Sequence, residues 1–253
     1  MSVRILDSDN TTDFAPLLRW MIFTGVSLFG IVLAWRFGLI NLMLASDKTY
    51  ISAIICVLYL ASSLHCLGRT IAMSRELVSG RRVLEIVRRT GRLSVEGEQV
   101  RAADGTVLPA SHITSHIRNL VLKAGLQGRH RIDQTLLLRG LADALRRPNA
   151  LGSFAGDALM KLGLLGTIIG FIMMLAPIAG LDAADRASVK SSMGLMSDGM
   201  AVAMYTTLTG LIGSIMVQIQ YYLLDSATGK LFGLATDLTE VFVVSVLERD
   251  RDG

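Results

Sequence analysis

The sequence has few of the residues and motifs on which enzymes, metal proteins and disulfide-bonded proteins depend. Its 253 residues include two cysteines, Cys56 and Cys66, which lie in one apolar run and cannot bridge each other on a single helix. It contains no Gly-rich phosphate loop, no dinucleotide-binding fingerprint, no Gly-x-Ser-x-Gly elbow and no paired-cysteine metal site. We therefore predict that the chain is not an enzyme and needs neither a cofactor nor a metal.

Charge is nearly missing from four long stretches of the chain. Each is close to the roughly 20 residues that a helix needs to cross a hydrocarbon core of about 30 Å. Lipid offers the backbone no hydrogen-bond partner, so a helix is the state expected there. The sequence therefore predicts four transmembrane helices. The stretches run from Leu17 to about Leu44, from Tyr50 to Leu67, from Ala158 to Leu181, and from about Gly199 to Leu224.

The largest polar segment lies between the second and third stretches and is basic. From Arg69 to Ala150 it holds fifteen Lys or Arg residues against seven Asp or Glu residues. Basic segments beside membrane spans stay on the cytoplasmic side, so we predict an inner-membrane protein with both termini in the cytoplasm. The first span has no small-x-small cleavage site behind it and is expected to be a retained anchor. The segment lacks the interleaved aromatics of nucleic-acid-binding modules, so we expect no nucleic acid partner.

Within the polar regions, apolar residues recur at helical spacing. Ile71 to Arg92 is predicted to continue the second span as a helix, and Ile113 to Leu126 and Ile132 to Leu145 to form two more. Gly91 to Pro109 is predicted to be a loop. Leu231 to Val246 predicts a long amphipathic helix that follows the fourth span. The predicted fold is an all-α polytopic membrane protein with four transmembrane helices and long cytoplasmic helical extensions. Its predicted segments are an N-terminal tail and first hairpin (1–68), a basic helical segment (69–156), a second hairpin (157–224) and a C-terminal helix (225–253).

Few titratable side chains are candidates for function. His112 and His116 are four residues apart, as in zinc-binding pairs, but lack a nearby cysteine or carboxylate and are predicted to be a surface pair. His65 lies in the second span, where an ionisable residue is a functional candidate, although a neutral histidine at a helix end can also be structural. Asp157 and Asp198 lie only at the ends of the last two spans. A proton path through this chain therefore needs a carboxylate from another polypeptide.

The third and fourth stretches carry rows of small residues and threonines at helical spacing. Such rows let two helix backbones approach closely in lipid. The threonine hydroxyls can bond to their own helix or offer an oxygen to an ion, a water or a carboxylic acid. The rows are Gly166 and Gly170, Gly163 and Thr167, then Gly199, Ala203 and Thr207, and Thr206, Gly210 and Ser214.

These residues resemble the MotA/TolQ/ExbB proton-channel family. The string from Gly163 to Gly170 is similar to the family's Gly-x-x-Gly-Thr-x-x-Gly pattern in the third helix. The string from Met200 to Gly210 is similar to the fourth-helix motif, most closely to its flagellar-stator form. The stator proline falls at Met160 and the ExbB/TolQ glutamate at Val202, so the resemblance is to a divergent member.

The resemblance implies a homopentamer whose third and fourth helices surround a dimer of a single-span partner of the MotB, TolR or ExbD type. That partner would bring the missing aspartate, and H+ or Na+ would be transported. Thr167 and Thr207, with Thr206 adjacent, are implied to line the ion path. The residues expected to serve helix packing and partner contact are Gly163, Gly166, Gly170, Ala203, Gly210 and Ser214.

The predicted function is that of a motor subunit that converts ion flow into mechanical work in the envelope. The main alternative is a non-conducting membrane scaffold that uses the small-residue faces only for assembly. A stand-alone secondary transporter is a weaker alternative, because it would usually show discontinuous helices and a polar cluster at mid-membrane.

Overall fold

The computed structural model describes residues 15–47, 49–90, 93–97, 99–127, 133–180 and 186–245. The N-terminal tail up to residue 14 and the predicted boundaries at Gly91, Ile132, Leu181 and Val246 lie outside the described residues. Seven α-helices are present in the described ranges: α1 (Ala15–Arg36), α2 (Leu39–Ser46), α3 (Ile51–Thr90), α4 (His112–Gln127), α5 (Thr135–Arg146), α6 (Ala150–Leu175) and α7 (Arg186–Leu238). Short 3-10 helices cover Arg147–Asn149 and Ala176–Gly180, a π-helical turn covers Thr239–Val244, and two strands are β1 (Leu93–Glu96) and β2 (Gln99–Ala102).

Four helices are long and apolar enough to cross a membrane, which confirms the predicted all-α polytopic fold. The spans lie in α1, α3, α6 and α7. The helices α3 and α7 have 40 and 53 residues, and at 1.5 Å per residue both far exceed the thickness of a bilayer core. The predicted helical continuations of the second and fourth spans are therefore confirmed.

The chain forms two compact units. One, here called the membrane unit, comprises Trp20–Leu67 and Ala150–Tyr222 and holds the apolar parts of the four spans. The other, here called the polar unit, comprises Met1–Arg19, Gly68–Asn149 and Leu223–Gly253. The four-segment division drawn from the sequence stays a prediction.

The first span is shorter than the sequence predicted. A continuous helix from Leu17 to Leu44 was expected, but α1 ends at Arg36 and α2 begins at Leu39. Gly38 between them has a φ of 73°, a left-handed conformation that glycine adopts without steric cost and that ends a helix. The apolar composition continues across this break, so hydropathy alone does not reveal it.

The predicted loop from Gly91 to Pro109 contains a β-hairpin in the polar unit, so that prediction is wrong. Strands β1 and β2 pair antiparallel, with Glu96 opposite Gln99. Gly97 lies in the two-residue turn with a φ of 61°, the positive φ that tight hairpin turns require. Val100 and Ala102 point inward at 1% and 3% exposure. The glycine that was interpreted as a break is therefore a turn residue.

In the membrane unit, Asp47 caps the start of α3. Its carboxylate accepts hydrogen bonds from the Thr49 amide at 2.9 Å, from the Thr49 hydroxyl at 2.6 Å and from the Ser52 amide at 2.6 Å. Burial alone would raise the pKa of Asp47, but these hydrogen bonds outweigh it and the pKa is lowered. The ionised carboxylate therefore stabilises the first turn of α3.

We expect Asp47→Ala to reduce the free energy of unfolding by about 1 kcal/mol at neutral pH. Because the folded-state pKa is below the unfolded one, this contribution is complete above pH ~4 and is lost as the pH falls further. The free energy of unfolding of wild type and variant should be measured by detergent-induced unfolding at pH 7 and at pH 3. The wild-type advantage should shrink at pH 3, whereas Asp157→Ala, at an exposed position of α6, should show no such advantage. An equal difference between Asp47→Ala and wild type at both pH values would contradict the capping role.

Candidate functional site

Helices α6 and α7 pack antiparallel in the membrane unit with their backbones in contact. A Cβ atom on Gly210 would lie 2.7 Å from the Cα of Gly163 and 2.8 Å from the carbonyl oxygen of Leu159. A Cβ on Gly170 would lie 2.5 Å from the Ala203 nitrogen and 2.7 Å from the Gly199 oxygen. Backbone atoms cannot rotate away from such a contact, so glycine is required at these positions. We call this contact line the glycine seam.

The glycine seam is longer than the sequence motif. The side chain of Tyr221 occupies the space beside Gly152, and Gln218 lies against Gly156, with its Cγ 3.0 Å from where a Cβ would be. The buried residues Gly152, Gly156, Leu159 and Gly163 follow one another at intervals of four, three and four residues, which keeps a seam on one side of a helix. The sequence analysis missed this extension, although the same small-residue spacing signals it. The buried residues of α6 are Gly152, Ala155, Gly156, Leu159, Gly163, Gly166 and Gly170.

Thr167 of α6 and Thr207 of α7 lie side by side, and their hydroxyls are hydrogen-bonded to each other. The Thr167 hydroxyl also lies 3.2 Å from the Gly163 carbonyl oxygen, and the Thr207 hydroxyl lies 2.9 Å from that of Ala203 and 3.3 Å from that of Gly163. Each hydroxyl has one proton but two lone pairs. These two side chains, here called the threonine pair, therefore keep acceptor capacity for a proton donor or a cation.

The threonine pair opens onto a groove of about 710 Å³ on the surface of the membrane unit. Apart from the pair, its polar lining residues are Ser197 and Tyr205, and none of the described residues that line it is charged. The remaining walls are apolar, including Met200 and Met204. The groove therefore presents neutral oxygen atoms at one place on an otherwise apolar surface.

Among the other predicted site residues, Ala203 is half-buried and also lines the groove, and the rest are buried. Thr206 is 0% exposed, packs against Gly166 and donates to the carbonyl oxygen of Val202 at 2.8 Å. The Thr206 hydroxyl bonds to its own helix rather than to the threonine pair. A role for Thr206 in lining the ion path therefore stays a prediction. Ser214 is 2% exposed and accepts a hydrogen bond from Gln218 at 3.2 Å. The expected packing glycines and Ala203 all lie in the seam.

A second polar contact in the membrane unit joins α3 to α7. The Nδ1 atom of His65 lies 2.7 Å from the hydroxyl oxygen of Tyr221, and the two rings stack with 6.2 Å between their centroids. The residue before Tyr221 on α7 is Gln220, and its amide donates to the Ser63 hydroxyl at 3.0 Å. The sequence marked His65 as a candidate but gave no sign of Tyr221, because the two residues are far apart in the chain.

The two histidines of α4 do not form the predicted surface pair. His116 is 4% exposed, whereas the side chain of His112 is exposed. His116 lies beside Ile113 and Ile117 on the apolar face of α4. Both isoleucines are 0% exposed, and this face packs into the core of the polar unit. Burial lowers the pKa of His116, and a hydrogen bond with Gln134 partly offsets the effect. Among the described residues, no three His, Cys, Asp or Glu side chains are grouped to hold a metal ion.

Comparison with known proteins agrees with this geometry. Residues 115–233 match the family model described as the MotA/TolQ/ExbB proton channel family. No curated protein and no solved structure matches the chain. The matched residues include the whole glycine seam and the threonine pair, and the chain has the four apolar helices of a polytopic membrane protein. Over residues 115–233, which are slightly less than half of its length, the chain is therefore similar to the MotA/TolQ/ExbB proton channel family.

Proposed function

We propose that this chain is the pore-lining subunit of an inner-membrane motor that is driven by an ion gradient. The observation that carries the proposal is the threonine pair, which faces a groove without a charge of its own. A channel family implies movement of an ion through this part of the protein, and neutral oxygens alone cannot hold and release a proton. The proposal therefore includes a partner that supplies the titratable group.

The chemistry of the threonine pair suits a carboxylic acid as that group. A protonated acid donates its hydrogen bond to a threonine oxygen, whereas an ionised acid accepts hydrogen bonds from the two hydroxyls. The two charge states therefore favour different hydrogen-bond directions at the same place. Ion binding to an aspartate on a single-span partner of the MotB, TolR or ExbD type would then change the contact between the two proteins. Repeated changes of this contact would produce mechanical work in the envelope.

Assembly and orientation are part of the same proposal. Outside the glycine seam, α6 keeps large apolar side chains exposed, among them Leu164, Phe171 and Ile172 at 53–61%. These surfaces suit lipid or neighbouring copies in a homopentamer around a partner dimer. The basic charge of residues 69–150 favours the cytoplasm for the polar unit and for both termini.

A non-conducting scaffold is the second candidate function. The glycine seam favours it, since backbone contact along α6 and α7 stabilises a helix pair whether or not an ion moves. The scaffold does not need the threonine pair to face a groove, and this difference separates the two candidates.

The full chain should be co-expressed with a candidate partner, a single-span protein with an intramembrane aspartate, and reconstituted into vesicles. We expect proton or sodium uptake along an imposed gradient only when both proteins are present. Changing the partner's intramembrane aspartate to asparagine should return uptake to the level of empty vesicles, with the complex still assembled. A stable complex that carries neither ion would contradict the motor and favour the scaffold.

A further inference from the structure

A row of polar side chains runs along α7 from the threonine pair toward the end of the membrane unit. It consists of Thr207, Ser214, Gln218 and Tyr221, whose spacings of seven, four and three residues keep them near one side of the helix. The amide of Gln218 donates to the Ser214 hydroxyl at 3.2 Å. At 1.5 Å per residue the row spans about 21 Å. It therefore leads from the candidate ion site to the Tyr221 end of the span.

The row ends on the contact between Tyr221 and His65. The tyrosine hydroxyl lies within hydrogen-bonding distance of Nδ1 of His65, at 2.7 Å, and of the carbonyl oxygen of Ser62, at 3.4 Å. A neutral imidazole can accept the tyrosine proton at Nδ1. A charged imidazole donates from Nδ1 instead, and the tyrosine proton can then turn to Ser62. The contact therefore accommodates both charge states of His65.

The polar group beside this contact that would bind a water is the buried amide of Gln220, which also lies next to the Tyr59 hydroxyl. Gln220 is 0% exposed, and its Oε1 atom has no hydrogen-bond partner among the described residues. A buried amide oxygen is normally satisfied by protein or by an ordered water. His65 itself is only partly buried, so part of its side chain lies at the surface of the membrane unit.

We infer that His65 and Tyr221 form the proton-exchange station at the cytoplasmic end of this row, an inference that rests on the proposed function. The hydroxyl of Tyr221 passes its proton to Nδ1 of His65 and takes a replacement proton from a water bound at the Gln220 amide. The imidazolium then releases the proton of Nε2 to cytoplasmic water. Exchange with water between the two ring nitrogens restores the starting form, so one proton enters and one leaves in each cycle.

Several titratable residues lie along the three helices that contribute to the station. On α3 an arginine follows His65 by four residues in the sequence, and on α7 an aspartate follows Tyr221 by four residues. On α6 the nearest carboxylate lies five residues beyond the glycine that faces Tyr221. The titratable groups on the three helices near the station are Tyr59, Cys66 and Arg69 on α3, Asp157 on α6, and Tyr222 and Asp225 on α7.

Proton flux through the reconstituted complex, measured against the pH on the side of the polar unit, tests the station. Wild-type flux should change with this pH, and His65→Gln should lower the flux about a hundredfold and remove that dependence. Tyr221→Phe keeps the ring beside Gly152 and should lower the flux to a similar extent. Tyr222→Phe is the matched control at an exposed position of α7 (74%) and should leave flux and pH profile unchanged.

The outcomes separate this inference from the proposed function. Wild-type flux and pH profile in His65→Gln would overturn the station while leaving the motor intact, and so would a complex that carries sodium but no protons. A complex that carries no ion at all would overturn both. If His65→Gln fails to assemble, as judged by size-exclusion elution, Tyr221→Phe decides alone, and a wild-type pH profile in it would overturn the station.

Discussion

Replacing Gly210 with valine is expected to abolish the folded α6–α7 pair and, with it, all ion flux. A Cβ atom at this position would lie 2.7 Å from the Cα of Gly163, whereas carbon atoms in contact are about 3.5–4.0 Å apart. The two helices would have to separate along the whole seam. Overpacking an ordinary core position costs about 1–3 kcal/mol, and we expect a larger loss here because the new atoms meet the backbone of α6, which cannot rotate away as a side chain can.

The measurement is the midpoint of detergent unfolding together with the yield of monodisperse complex. Gly213→Ala is the matched control three residues away on α7, where the nearest atoms to a new Cβ are side-chain atoms at 3.8 Å. Since alanine favours helix over glycine by up to about 1 kcal/mol, this control should unfold no earlier than wild type. A Gly210→Val protein with wild-type midpoint and elution would show that α6 and α7 are not in backbone contact at this position.

The sequence predicted close packing of α6 and α7 because small residues in a transmembrane helix have few other structural roles. In a span without charges, small residues at intervals of three and four leave close helix packing as the main interpretation. Gly163, Gly170 and Gly210 were therefore predicted to serve close helix packing, although on separate rows, and the structure brings them into one seam. The family motif added that Thr167 and Thr207 belong together, and the structure brings their hydroxyls into contact.

The features that the sequence did not reveal depend on local conformation or on distant residues. The break at Gly38 and the turn at Gly97 both depend on a positive φ. The sequence shows only that a glycine is present there and does not reveal its backbone conformation. The burial of His116 follows from its neighbours on the apolar face of α4, and a four-residue histidine spacing says nothing about it. The partner of His65 lies on another helix, 156 residues away, and no local pattern points to it.

Removing the hydroxyl of either member of the threonine pair is expected to lower partner-dependent ion flux by about ten- to a hundredfold. A hydrogen bond to a charged group contributes about 1.5–3 kcal/mol, and each 1.4 kcal/mol corresponds to a factor of ten in rate. Thr167→Val and Thr207→Val keep the shape of the side chain and remove the oxygen that faces the groove. Flux of both ions should be measured at equal amounts of assembled complex.

The double variant decides whether the two hydroxyls act as one site. The two hydroxyls are hydrogen-bonded to each other and share the Gly163 carbonyl oxygen. Loss of one hydroxyl therefore disturbs the other. The double variant should lose little more flux than either single variant. Thr209→Val is the matched control, since its hydroxyl bonds to Tyr205 and Met43 and lies outside the groove. Its flux should stay within about twofold of wild type. Independent, multiplying losses would assign the two threonines to separate steps, and wild-type flux in both single variants would remove the pair from the ion path.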